Sequence, residues 1–139
     1  KTELPFALNH SDIFYDNVIV SKDKKKATIM DFEEACNYYR VYDIGMMIIG
    51  TCSENEELDL TKASYILKGY QKHIQLLETE KEELQMFTAY AATNTAFWRH
   101  KNFNYVSPEP NKKDHYLQMK NLADNVMQIP KDEFKAITN

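Results

Sequence analysis

The stretch HSDIFYDNVIV, residues 10–20, crowds a histidine, two aspartates, an asparagine and two aromatic residues into a segment flanked by apolar chain. Polar groups that are costly to bury are rarely gathered for packing alone, so the segment is read as a catalytic loop running into a strand. NVIV (17–20) and ATIM (27–30) are apolar, largely β-branched runs separated by SKDKKK, the pattern of a short antiparallel hairpin with an exposed polar tip. Both runs are apolar at nearly every position, which predicts that both faces of the hairpin are covered. Asn17 enters this hairpin and Asp31 leaves it, so its closure brings the two to within about 5–10 Å.

Those positions suggest a chemistry. A Mg²⁺ ion asks for hard oxygen donors and keeps water and phosphate oxygens in its shell, so one amide and one carboxylate suffice as protein ligands, and Asn17 and Asp31 supply that pair. Asp12, on the same loop, is placed to accept the proton of a hydroxyl attacking a phosphoryl group. Phosphoryl transfer needs little beyond positioning and charge neutralisation, so such a small set is chemically complete.

After about Val41 the chain is helical. YDIGMMIIGTC (42–52) is apolar on most sides and predicts a buried helix ending near Gly50 and Ser53. Leu60, Ala63, Ile66, Leu67, Tyr70 and Ile74 recur at helical steps and predict a helix over 59–77. Thr79 with Glu82 forms a capping-box pattern opening a helix through about His100, with Leu84, Phe87, Ala91, Thr95 and Trp98 along one side. Ser107, Pro108 and Pro110 break the pattern, and a last helix over 112–127 ends at Pro130. The fold class is therefore α+β and mostly helical: a catalytic loop and short hairpin followed by about four helices.

HSDIFYDNVIV followed by IMDFEEACNYYRVYD (29–43) resembles the HxDxxxxN and DF/DxE pair of the aminoglycoside phosphotransferase and choline kinase superfamily, which shares the protein-kinase fold. The likeness is closest to type II homoserine kinases and is carried by His10, Asp12, Phe14, Asp16, Asn17, Val18, Asp31, Phe32, Ala35, Cys36, Tyr42 and Asp43. It implies that residues 1–139 form the carboxy-terminal, catalytic lobe of such a kinase. Asp12 would be the catalytic aspartate, and Asn17 and Asp31 the Mg²⁺ ligands, with ATP as co-substrate. His10 and Asp43 would support the site, and Asp16, Glu33, Glu34, Trp98 and Arg99 are candidate substrate contacts.

Two departures bear on this. Ser11 stands where the family has a small Gly or Ala, and Glu33–Glu34 replace aromatic residues, leaving an acidic wall suited to a substrate ammonium. Each residue also has a plainer reading: His10 as a satisfied structural histidine, Asp12 and Asn17 as turn formers, Asp43 as a helix cap, and Trp98 and Arg99 as core and surface. Taken singly those readings win for Asp12 and Asn17; jointly with Asp31 the phosphotransferase reading does.

The resemblance lacks one half. Gly45, Gly50 and Gly69 are the only glycines and none forms the G-x-G of a phosphate-covering hairpin, nor is a lysine–glutamate pair in evidence. An amino-terminal nucleotide-binding lobe is the expected partner, position 1 reads as an interior cut, and this lobe alone is expected to be inactive and to bind nucleotide poorly. The expected function is transfer of the γ-phosphate of ATP to a hydroxyl of a small amine- or amino-acid-like metabolite, as in homoserine kinases. The alternatives are an aminoglycoside or choline/ethanolamine-type kinase, or a non-catalytic interaction module derived from one.

Composition limits the other options. A 139-residue chain with 43% hydrophobic residues closes a real core, and a net charge of -4 gives no basic field for nucleic acid. The longest apolar run, 44–49, falls well short of the roughly 20 residues of a membrane span. Cys36 and Cys52, outside any metal-spaced pair, are expected to be two buried thiols in a reducing compartment, so the cytoplasm is the expected location.

Overall fold

A computed structural model describes residues 3–139. Strand β1 (Phe6–Asn9) leads through the polar loop to a single 3-10 turn at Tyr15–Asn17, from which the chain enters the hairpin of β2 (Val18–Val20) and β3 (Ala27–Ile29). The hairpin pairs Val18 with Ile29 and Val20 with Ala27, as the two apolar runs predict. Its tip is built from polar turn chemistry: Ser21 N–H donates to the Lys26 carbonyl at 2.9 Å, and Lys24 takes a left-handed φ of 57°. β4 (Cys36–Tyr39) then returns to pair antiparallel with β1, Phe6 opposite Tyr39 and Asn9 opposite Cys36.

The expectation that the hairpin is covered on both faces is wrong for this chain. Ile19 and Val20 are 53% and 57% exposed, and Ile29, Met30 and Phe32 also stand in solvent. The helices gather on the other side of the polar loop and leave the hairpin uncovered.

Helix α1 (Arg40–Cys52) follows β4 without a break and buries Val41, Ile44, Ile48, Ile49 and Cys52. β5 (Ser53–Glu54) and β6 (Glu57–Leu58) form a minimal hairpin whose turn residues, Asn55 and Glu56, both have positive φ, as a type I′ turn requires. α2 (Leu60–Tyr70) starts at Asp59, whose carboxylate accepts the Lys62 N–H at 2.9 Å. It stops at Tyr70 rather than Leu77, the chain turning over 71–73 and leaving Ile74 42% exposed. α3 (Glu78–Lys101) loosens into a wider turn at Asn102–Val106, and after the proline break α4 (Tyr116–Gln128) packs along it. A fifth helix, α5 (Lys131–Ala136), begins immediately after Pro130 and inserts Phe134, 1% exposed, into the core. Pro130 stops one helix and, with φ already suited to a first turn, starts another.

The start of α3 is fixed differently from the expected Thr79–Glu82 box. Glu80, fully buried, accepts the Leu77 N–H at 2.9 Å and holds the Arg40 guanidinium in a two-pronged pair, with Arg40 Nε 2.8 Å from Oε1 and Nη2 on Oε2. Thr79 Oγ1 is buried without a partner among the described residues. A buried carboxylate is tolerated only where its charge and lone pairs are answered, and removing one member of such a pair typically costs about 3–5 kcal/mol. The ion pair thus sets the start of α3 and ties it to the start of α1.

Close backbone approach sets the rest. A Cβ at Gly45 would lie 3.0 Å from Phe87 and Thr88 backbone atoms, so α1 and α3 touch there main chain to main chain. A Cβ at Gly50 would run into the Ile13 carbonyl oxygen and approach Phe14 Cα to 3.0 Å. The polar loop over residues 10–17 therefore rests directly on α1. Gly50→Ala is expected to destabilise the chain by about 1–3 kcal/mol through overpacking. Gly69→Ala, with nothing within 4 Å of the added methyl, should stabilise α2 by about 0.5–1 kcal/mol. Urea denaturation of the two variants checks this; equal effects would show that the loop does not sit on Gly50.

Candidate active site

The His10 imidazole, 5% exposed, is the hub of the loop. Its Nε2 lies 2.6 Å from the Met30 carbonyl oxygen, which can only accept, so the proton sits on Nε2. Nδ1 is then bare and accepts the Asp12 N–H at 3.2 Å. The Phe32 ring packs on the imidazole with centroids 4.6 Å apart. One buried ring therefore touches the residues on both sides of Asp31 and the backbone of Asp12.

Asp43, on the first turn of α1, completes the loop's support. Its two carboxylate oxygens accept the backbone N–H groups of His10 at 2.9 Å and Ser11 at 2.7 Å. Ser11 takes a φ of 72°, a left-handed conformation that a non-glycine residue adopts at a cost of about 1–2 kcal/mol. That is the position at which the sequence departs from a small Gly or Ala. Asp31 also has a left-handed φ, 62°, at the exit from β3.

Asn17 Nδ2 donates to both the Asp12 carbonyl oxygen at 2.8 Å and the Asp12 carboxylate Oδ2 at 3.0 Å. Turning the amide over would set oxygen against oxygen twice, so its orientation is fixed and Oδ1 is left without a partner among the described residues. Asn17 is tied to the far strand as well, its carbonyl accepting the Met30 N–H at 2.9 Å. The Asp31 carboxylate, next in sequence, is exposed and makes no ion pair among the described residues. An uncommitted amide oxygen and an open carboxylate are the donor types a hard cation takes. No group of three or more His, Cys, Asp or Glu among the described residues is placed to hold a metal ion, which sets the site apart from an all-protein metal cage.

The remaining candidates are scattered. Asp16, Glu33 and Glu34 are exposed. Trp98 is 55% exposed and packs edge-on against Phe103 at 5.8 Å, so it is not a core residue. Arg99 is partly buried, with Nη1 donating to Gln118 Oε1 at 2.9 Å. Burial holds its pKa below the ordinary arginine value, an effect opposed by the nearby charges of Asp16 and Asp12. Cys36, expected to be buried, is exposed at the start of β4, its sulfur 3.3 Å from Ser11 Oγ; Cys52 is buried as expected.

Sequence reasoning missed three supports. The Met30 carbonyl is a main-chain partner with no side-chain signature. Tyr15 donates its hydroxyl to the Thr51 carbonyl, fastening the 3-10 turn to the end of α1. In the sequence Gly50 signals only a helix end, although its missing side chain is what admits the loop.

Comparison with known proteins places this geometry. Homoserine kinase of Agrobacterium fabrum is 34% identical over 91 residues, covering 65% of this chain and 28% of that protein. The homoserine kinase of Bradyrhizobium diazoefficiens is 35% identical over 92 residues, and that of Caulobacter vibrioides 33% over 90, each again covering 28% of the relative. The chain thus corresponds to under a third of the length of these curated relatives. No helix among the described residues is long and apolar enough to cross a membrane. Residues 1–73, more than half of the chain and containing the whole loop and hairpin, match the model of the Phosphotransferase enzyme family, and the chain belongs to that family.

Proposed function

We propose that residues 1–139 form the carboxy-terminal, catalytic lobe of an ATP-dependent small-molecule kinase whose acceptor is a hydroxyl of a small amino-acid- or amine-like metabolite, homoserine being the leading candidate. The observation that carries the reading is the pair of hydrogen bonds from Asn17 Nδ2 to Asp12, which commits the amide nitrogen to the candidate base and leaves the amide oxygen without a partner among the described residues. Family membership and the resemblance to homoserine kinases support it.

In this reading the Asp12 carboxylate, oriented by Asn17 and by its own N–H on His10, accepts the proton of the acceptor hydroxyl. The hydroxyl oxygen bonds to the γ-phosphorus, the bond to the β,γ-bridging oxygen breaks, and ADP departs. Asn17 Oδ1 and the Asp31 carboxylate would hold a Mg²⁺ ion, which when bound neutralises charge on the phosphates. His10 does no proton transfer: both ring nitrogens are occupied by main-chain partners, and its task is to keep Asp12 and Asp31 in register.

The uncovered hairpin fits the same proposal. Ile19, Val20, Ile29, Met30 and Phe32 are exposed on and beside the hairpin, apolar area suited to an amino-terminal lobe of the same protein that closes over the nucleotide.

Two outcomes test the reading. In the protein that includes the upstream lobe, Asp12→Ala should lower turnover of ATP with acceptor by about 10³-fold with little change in thermal stability; undiminished turnover removes Asp12 from the role. Calorimetric titration of residues 1–139 alone with Mg²⁺–ATP should show a Kd on the order of 1 mM or weaker, since the covering lobe is not there. Tight, Mg²⁺-dependent binding by this chain would contradict the division into lobes.

A further inference from the structure

α3 approaches the catalytic loop through a register that can be followed along its length. Arg40 meets Glu80, Gly45 meets Phe87 and Thr88, and Met46 receives the Thr95 hydroxyl at 4.0 Å, so α1 and α3 run side by side in the same direction. One turn beyond Met46 lies Gly50, the residue on which Ile13 and Phe14 rest. One turn beyond Thr95 lies Arg99. The end of α3 therefore delivers a guanidinium to the level of the loop that carries Asp12 and Asp16.

Of the two arginines, Arg40 is paired with Glu80, whereas Arg99 has no carboxylate within the 4.0 Å of an ion pair among the described residues. Its protein partners, Gln118 Oε1 at 2.9 Å and the His115 carbonyl at 3.5 Å, both use Nη1. That anchors the side chain to α4 and leaves Nε and Nη2 uncommitted. A planar fork held at one end, partly drawn out of water, is suited to a planar oxyanion.

We propose that Arg99 binds a carboxylate on the acceptor, so that the hydroxyl substrate of this lobe is an acid and Arg99 sets the end of the molecule remote from the reacting oxygen. This rests on the phosphotransferase reading above and narrows its acceptor. Arg99 belongs to the last turn of α3, while Asn17 and Asp31, where phosphates would gather, flank the hairpin. Burial holds the Arg99 pKa down while the charges of Asp16 and Asp12 oppose it, in keeping with a place near the loop. Those two carboxylates would repel a substrate acid unless a cation stood beside them, and Arg99 supplies it.

The test compares L-homoserine with L-homoserinol, which carries a hydroxymethyl group in place of the carboxylate, on the protein including its upstream lobe. Binding is measured by calorimetry for the wild type and for Arg99→Gln. The wild type should bind the acid more tightly than the alcohol by about 10- to 100-fold, as expected of charge-assisted hydrogen bonds, and the variant should lose that difference. A wild type without the preference, or a variant that keeps it, overturns the proposal. A variant weakened equally toward both ligands shows Arg99 to be only a brace between α3 and α4, and overturns it too. Turnover of ATP, followed in parallel, separates the two readings: a carboxylate preference that depends on Arg99 with no phosphorylation of either acceptor sinks the kinase assignment and leaves the binding assignment standing.

Discussion

A single buried imidazole fixes the relation between the loop of Asp12 and the exit of the hairpin. His10 must donate from Nε2 because Met30 offers only a carbonyl, and this leaves Nδ1 to receive the Asp12 N–H. With the Phe32 ring packed on its face, the side chain joins segments twenty residues apart without using any charge. Asp12, Asn17 and Asp31 are short polar side chains on irregular backbone, and none has a packing environment that would orient it. Their order is borrowed from the ring, from the Asp43 carboxylate beneath the loop, and from the bare face of Gly50 that lets the loop lie on α1.

The helical body serves that arrangement by stiffness. α1 carries Asp43 near its start and Gly50 near its end, so both supports of the loop stand on one rigid element. α1 is in turn held against α3 by the Arg40–Glu80 pair at one end and by main-chain contact at Gly45 in the middle. Strain at Ser11 and Asp31, both left-handed, is tolerated because each neighbouring amide or carbonyl has a partner that a relaxed backbone would abandon. Such concentration of unfavourable backbone is common where a side chain must be aimed rather than packed.

Much of this was legible in the sequence. The hairpin followed from two β-branched runs and a lysine-rich tip, α1 from an unbroken apolar stretch, and the candidate site from the spacing of Asp12, Asn17 and Asp31 around the hairpin. What escaped notice is what depends on distant partners. The β1–β4 pair joins residues about thirty positions apart, and neither FALN nor CNYY alternates in a way that marks a strand. The true opening of α3 is set by Glu80, which caps the Leu77 N–H and is answered by the distant Arg40, rather than by the Thr79–Glu82 pattern. α5 hid behind a proline read only as a terminator. The hairpin's exposure and that of Cys36 went the other way from expectation, because apolar composition tells that a face can be covered and not what covers it.

The central claim is that His10 locks the two halves of the site through one tautomer, and nitrogen-15 spectra of the imidazole rings in the folded 139-residue chain test it most directly. Among the four histidines, His10 should show a protonated, hydrogen-bonded Nε2 coupled to the Met30 carbonyl and an unprotonated Nδ1. A His10 ring protonated at Nδ1, or one whose signals average as those of a solvent-exposed imidazole do, would contradict the account.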